Sequence, residues 1–237
     1  MKSINKNVIG FIVAVVLVTM ACASLSPNLL PDTTLAAPTS TLPIPTSLPT
    51  AFTPIYQDDF SDGTSGWGTG TDTFSSVEYA NGGLMMSVFE TFYVTWSTLG
   101  VTPYGNVHIE VSVKNESVDP QSLFGIVCDE QGTTSSFYYV GVSPEGYYAF
   151  IKSADGKDDV YLKEGNSDVI VAAQGSMRIG LDCGKGSLIL YVNSQKIDSV
   201  ADTTYTSGVV GVFAASDDEN SGTTVTFDDF VMTKLDE

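Results

Sequence analysis

Histidine is almost missing from this chain: His108 is the only one in 237 residues. A Ser-His-Asp centre or a His-rich metal site therefore has almost nothing to draw on. Cations are scarce as well, with 10 Lys/Arg against 28 Asp/Glu and a formal net charge of −18. Such a surface repels phosphate backbones, so no nucleic-acid partner is expected. No phosphate-binding glycine loop of the Walker type is present, and no stretch shows sustained 3.6-residue periodicity. Cysteine occurs three times, at Cys22, Cys128 and Cys183. The one long apolar run, Val8 to Val18, falls short of the roughly 20 residues a spanning helix needs.

What is present at the N-terminus describes an address. Lys2 and Lys6 precede the apolar run, and small residues follow it. This order marks an export signal, predicted over residues 1–21. Thr19-Met20-Ala21-Cys22 resembles a bacterial lipobox, in which the cysteine becomes the acylated first residue. Cys22 is thus the candidate lipidation site, and the expected location is the cell surface, membrane-anchored through an N-terminal lipid. The alternative is ordinary cleavage after Ala23, in the A-x-A pattern Ala21-Cys22-Ala23, and secretion.

Seven of the ten prolines lie between Pro27 and Pro54, where Asp32 is the only charge. Proline removes backbone donors and favours extended chain, so residues 22–55 are predicted to be a Pro/Thr/Ser-rich linker rather than a core. About 30 residues at about 3.1 Å each would hold a domain up to roughly 90 Å from its anchor.

Residues 56–237 have a different texture. Val107, Ile109, Val111 and Val113 alternate with His108, Glu110 and Ser112. Asn81-Gly82-Gly83 is a hairpin signal, and Gly184-Lys185-Gly186 precedes the strand-like SLILYVN. Many short alternating runs separated by Gly-rich turns predict an all-β domain, a two-sheet antiparallel sandwich. Outside the cytoplasm Cys128 and Cys183 are expected to pair. A crosslink closing a loop of this length is worth roughly 4 kcal/mol in the chain-entropy model.

The segments DDFSDGTSGW, EYANGGL, SFYYVGVSPEGYYAFIK, LILYVNSQKI, GVVGVFA and VTFDDFVM, in that order, resemble the concanavalin A-like lectin/glucanase (laminin-G-like) jelly-roll superfamily. They are most similar to its exported bacterial modules. The resemblance spans about residues 56–234. It implies two curved antiparallel sheets, one often presenting a ligand groove, in lectins, carbohydrate-binding domains and glycosidases alike. Asn193-Ser194 stands where many relatives have Asn-Gly.

FYYVGVSPEGYYAFIK, residues 137–152, carries the densest aromatic content. A two- or four-residue loop at Pro144-Glu145 would place Tyr138, Val140, Val142, Tyr147, Ala149 and Ile151 on one side. Phe137, Tyr139, Gly141, Tyr148, Phe150 and Lys152 would then share the other. Flat aromatic surfaces bury the C–H face of a pyranose, so the candidate ligand residues are Tyr139, Tyr148, Phe150 and Lys152. Trp96 and Tyr93 of TFYVTW join them. The competing expectation is that these rings only stabilise the sheet. Trp67 is expected to be a packed plug.

Asp58-Asp59 opens the domain and Asp228-Asp229 lies in its last strand. First and last strands of a sandwich are often neighbours, so these acids are the candidate ligands of a structural Ca2+. No cofactor is otherwise required. Glucanases of the resembled superfamily carry E-x-D-x-x-E on a strand. The nearest match here, HIEVSVKNE, has Ser112 in place of the middle acid. The expected function is therefore a non-catalytic, surface-tethered binding module for a glycan or another envelope or extracellular polymer. The alternatives are a divergent glycoside hydrolase or lyase, and a structural or protein-interaction domain.

Overall fold

The computed structural model describes residues 53–132, 135–173, 175–217 and 222–235. The expected signal segment, Cys22 and nearly all of the proline-rich linker lie outside the described residues. The unit from Leu48 to Glu237 contains the described strands.

Among the described residues, fifteen strands and one short helix follow one another. The strands are β1 (Tyr56–Asp58), β2 (Gly70–Thr71), β3 (Ser75–Ala80), β4 (Gly83–Val88), β5 (Val94–Thr98), β6 (Val107–Asn115), β7 (Leu123–Glu130) and β8 (Phe137–Val142). There follow β9 (Tyr147–Ser153), β10 (Val160–Asn166), α1 (Asp168–Ala172), β11 (Ser176–Gly184), β12 (Ser187–Val192), β13 (Gln195–Ala201), β14 (Val209–Ala215) and β15 (Thr223–Lys234). Two antiparallel sheets result. One has the order β13-β12-β11-β6-β15-β4-β3-β2, with β1 also paired to β15. The other has the order β10-β9-β8-β7-β14-β5. This is the two-sheet sandwich that the alternation predicts.

Period-two patterning builds the interior. On β6, Val107, Ile109, Val111 and Val113 are buried, while His108, Glu110 and Ser112 are only partly covered. Leu181, Leu190 and Phe227 of the same sheet, and Phe124, Ile126 and Phe150 of the facing one, join them in one core cluster. Burying a side chain of this size stabilises by about 1.5–3 kcal/mol before chain entropy is subtracted. A disulfide joins Cys128 on β7 to Cys183 on β11, with Cα atoms 6.6 Å apart, and so links the two sheets.

Asn81 and Gly82 both have left-handed backbones, with φ of 56° and 79°, and connect β3 to β4. This is the hairpin expected from Asn-Gly. Asn193 and Ser194 make the corresponding turn between β12 and β13, with φ of 49° and 65°. The turn is kept, although Ser194 occupies a region that glycine fills at lower cost.

The register of the β8–β9 hairpin differs from the sequence expectation. Val142 pairs with Tyr148, Val140 with Phe150 and Tyr138 with Lys152. Ser143 N–H bonds to Tyr147 O at 2.9 Å, and Gly146 adopts φ +97°. The loop therefore has three residues, Pro144-Glu145-Gly146, closed by a glycine that reverses the chain. An odd loop moves one strand by a residue against its partner, and each residue then shares a face with a different set.

Candidate functional site

The corrected register separates the aromatic residues that were expected to form one platform. Tyr148 and Phe150 face the interior with Tyr138 and Val140. Phe150 is fully buried, and the Tyr148 hydroxyl donates to Asp198 Oδ2 at 2.7 Å. Lys152 sits at the rim of the same side and pairs with Asp202 at 2.9 Å. Tyr139 lies on the opposite, outer face of its sheet with Phe137, Val127 and Phe213. It is 4% exposed and donates to Asp159 Oδ2 at 2.6 Å. Burial, reinforced by Asp159, pushes its phenol far above the ordinary range. Tyr139 and Tyr148 thus do not share a surface, and neither is an open platform.

The outer row of rings ends in one that is open. Trp96, on β5, is 37% exposed and leans on Phe137 with ring centres 5.0 Å apart. Phe137 in turn contacts Tyr139, and Tyr139 contacts Phe213. β5 is the edge of the six-stranded sheet and β2 the edge of the other. Between these edges runs a groove of ≈ 510 Å³, lined by Thr69, Thr71, Asp72, Tyr93, Trp96 and Thr98 among others. Tyr93 is half-buried and stacks on exposed Phe74 at 5.3 Å and 15°. The groove wall is held by polar contacts: Ser97 Oγ donates to Gly68 O at 2.8 Å, and Asp72 accepts from the N–H groups of Phe74 and Ser75. Trp96 and Tyr93, of the six candidate ligand residues, line this open groove together. An aromatic floor with hydroxyls along its walls can bury one apolar face of a flat ligand and bond its rim.

The acid pairs do become neighbours, because β1 pairs with β15 and Asp58 lies opposite Phe230. Asp58, Asp59 and Asp229 line one shallow depression of ≈ 360 Å³. Their oxygens are largely engaged, however. Asp58 accepts from Phe60 N–H, the Tyr56 hydroxyl and Trp67 Nε1. Asp59 accepts from the Ser61 N–H and hydroxyl, which hold its carboxyl below the usual range. Asp228 accepts from Asp229 N–H. Among the described residues these acids do not bring three ligand oxygens within 4.8 Å of one another. Trp67 is 5% exposed and packed between Phe60 and Phe230.

A further constellation lies on the outer face of the nine-stranded sheet. Asp182 pairs in register with His108, Gly180 with Glu110 and Arg178 with Ser112. His108 Nδ1 lies 2.5 Å from Asp182 and its Nε2 3.4 Å from Glu110. Arg178 Nε donates to Glu110 at 2.9 Å, and the Tyr191 hydroxyl donates to Asp182 at 2.9 Å. The hydrogen bond to Asp182, then that to Glu110, pushes the imidazole up to about 9. Hydrogen bonding to His108 outweighs burial and holds Glu110 down at about 2. The polar face of β6 was legible in the sequence. Its partners on β11 were not, because cross-strand pairing between distant segments leaves no local signal.

Comparison with known proteins places this geometry in a fold class. No protein-family model matches the sequence, and no curated protein sequence matches it. Solved structures do. The carbohydrate binding module CBM66 from Bacillus subtilis superposes with a TM-score of 0.58 at 10% identity, covering 72% of this chain and 96% of that one. A laminarinase from Flavobacterium sp. UMI-01 gives 0.52 at 14% identity, over 77% and 100%. A Bacillus subtilis protein described as having a galectin-like fold gives 0.53 at 12%, over 76% and 96%. The domain is a two-sheet antiparallel jelly-roll sandwich, the fold these proteins share. At these identities the likeness is one of fold.

Proposed function

We propose that this chain is an exported, lipid-anchored, non-catalytic module that binds a glycan of the envelope or the surroundings. Binding takes place in the groove between β2 and β5. The observation that carries this reading is the exposed Trp96 ring beside Tyr93 in that groove. A pyranose face covers an indole at little side-chain entropy cost, and the Thr69, Thr71 and Thr98 positions stand beside it to meet hydroxyls. The shared fold is used by a carbohydrate binding module and by a laminarinase, which supports a carbohydrate ligand. Cys22 carries the lipid, and the proline-rich segment sets the domain away from the membrane.

The same comparisons include enzymes, so catalysis is the competing reading. A glycosidase needs two carboxyls about a sugar bond, one kept protonated as the general acid. Glu110 and Asp182 are two carboxylates that flank His108 on the outer face of the nine-stranded sheet. Glu110 is held at about 2 and ion-paired to Arg178, the reverse of what a proton donor requires. This supports the binding reading.

A glycan array probed with the wild-type chain and with Trp96→Ala is the test. Wild type should retain at least one glycan, and Trp96→Ala should weaken it at least tenfold. An equal signal from the variant would remove the groove from the proposal, and silence of the folded wild type would remove the glycan.

A further inference from the structure

Three phenylalanines stand exposed at one end of the sandwich. Phe74 lies in the turn from β2 to β3, and Phe89 and Phe92 lie in the loop from β4 to β5. Phe74 and Phe89 are each 47% exposed and Phe92 is 81% exposed. The two turns are joined. Ser75 pairs with Val88 at the end of the β3–β4 ladder, and Phe89 N–H donates to Phe74 O at 2.8 Å just beyond it. Soluble domains seldom gather large apolar side chains at one exposed place without a use for them.

Phe92 is the unusual member. Its φ is +57°, a left-handed backbone that bulky side chains rarely adopt and that glycine takes without strain. Phe60 has a similar φ of +52°, but its ring is 2% exposed and packs on Trp67 at 5.1 Å. There the interior repays the strain. At Phe92 the strain is kept and the ring is left in water, which points to a use outside the fold. The patch is also continuous with the groove. Tyr93, next in the chain, lines the groove, and the Phe74 ring stacks on it. Asp72, on the groove wall, accepts from Phe74 N–H at 2.8 Å. An apolar surface thus runs from Trp96 and Tyr93 over Phe74 towards Phe89 and Phe92.

We propose that the glycan site extends out of the groove over Phe74, Phe89 and Phe92, and that its ligand is an internal stretch of an uncharged polysaccharide. The extension rests on the groove being the glycan site. A short oligosaccharide fills the groove alone, whereas a long chain also reaches the phenylalanines, each of which buries a further apolar sugar face. Charge selects the class of polymer. No Lys or Arg occurs between Lys6 and Lys114, Asp72 is the only charged residue lining the groove, and Glu90 is the only one in the β4–β5 loop. This end of the domain therefore repels uronates, sulfated glycans, phosphate-bearing polymers and anionic lipid headgroups. A neutral polysaccharide needs no counter-charge and is bound through its flat faces and hydroxyls.

The test measures affinity of the full chain against ligand length. The probes are laminarin, galactan and mannan, each as polymer and as oligosaccharides from the disaccharide upward. The variant Phe89→Ser with Phe92→Gly should bind the short oligosaccharides within twofold of wild type and lose at least tenfold on the polymer. Trp96→Ala should weaken both. Phe92→Gly alone should melt no lower than wild type, and a lower melting temperature would assign the ring to the fold and overturn the proposal. Polymer affinity unchanged in the double variant, with Trp96→Ala still impaired, would overturn the extension and leave the groove. Polymer binding lost in the double variant but kept in Trp96→Ala would make the tip a separate site and overturn both. Binding to phosphatidylcholine vesicles or dimerisation in sedimentation, if abolished by the double variant, would assign the phenylalanines to lipid or to a second copy and overturn the extension. Wild type that binds none of the probes, polymer or oligosaccharide, would overturn it as well.

Discussion

Trp67 Nε1 donates a hydrogen bond to Asp58 Oδ2 at 2.9 Å, and through it the loop after β1 is fastened to the strand that pairs with β15. The same carboxylate accepts from Phe60 N–H at 2.8 Å and the Tyr56 hydroxyl at 3.1 Å. Burial and the nearby Asp58 charge together raise the Tyr56 phenol to about 12, so it stays a donor at all ordinary pH. Removing the acceptor leaves three donors without it, one of them on a buried indole. Asp58→Ala should therefore destabilise the domain by about 2–4 kcal/mol. Urea unfolding should show a lower midpoint at unchanged slope. A midpoint equal to that of wild type would mean that Asp58 is free for another task, such as holding a metal.

His108 makes the stability depend on pH. Its folded pKa is raised from 6.5 to about 9, so its contribution is fully present below pH 6.5 and is lost as pH rises through about 9. Glu110 works in the other direction. Its carboxyl is lowered from 4.5 to about 2, so its contribution is present above pH 4.5 and is lost as pH falls through about 2. The melting temperature of wild type should fall between pH 6.5 and pH 9. His108→Gln should flatten that slope. A parallel slope in the variant would show that His108 is not held as an imidazolium.

Ser194 offers a stabilising change. With φ at 65° it holds a turn position that glycine takes without strain. Ser194→Gly should raise stability by about 0.5–1 kcal/mol, the relief of strain outweighing the added freedom of the unfolded chain. Chemical denaturation of the two proteins side by side is sufficient, and a destabilised variant would contradict the turn geometry.

The disulfide should be separable from the fold. Non-reducing peptide mapping should join Cys128 to Cys183, and Cys128→Ala with Cys183→Ala should lower stability by roughly 4 kcal/mol. Two alkylatable thiols in the native wild type would refute the bridge.

Much of this architecture could be read from residue order, and the limits are physical. The valines of β6, the Asn81-Gly82 turn and the intersheet cysteines announce themselves through short-range pattern or through count. The register of β8 against β9 does not. It depends on whether Pro144-Glu145-Gly146 forms a loop of odd or even length, and one residue's difference divides Tyr139 from Tyr148. Trp96 was visible as an aromatic on a strand, but its exposure depends on β5 ending a sheet beside β2. Asp129 looked like any acid at the end of a strand. Its left-handed backbone comes from a bulge opposite β14, whose residues lie far along the chain.

The anchor has its own test. Mass spectrometry of the mature N-terminus should find an acylated Cys22, whereas an unmodified chain starting at Ser24 would mean release from the cell.

The groove itself is best examined through its own indole. The chain has two tryptophans, and Trp67 is buried while Trp96 is exposed, so iodide quenching reports mainly on Trp96. A glycan retained on the array should protect that fluorescence in proportion to occupancy in wild type. Quenching that stays unchanged at saturating glycan would place the ligand somewhere other than between β2 and β5.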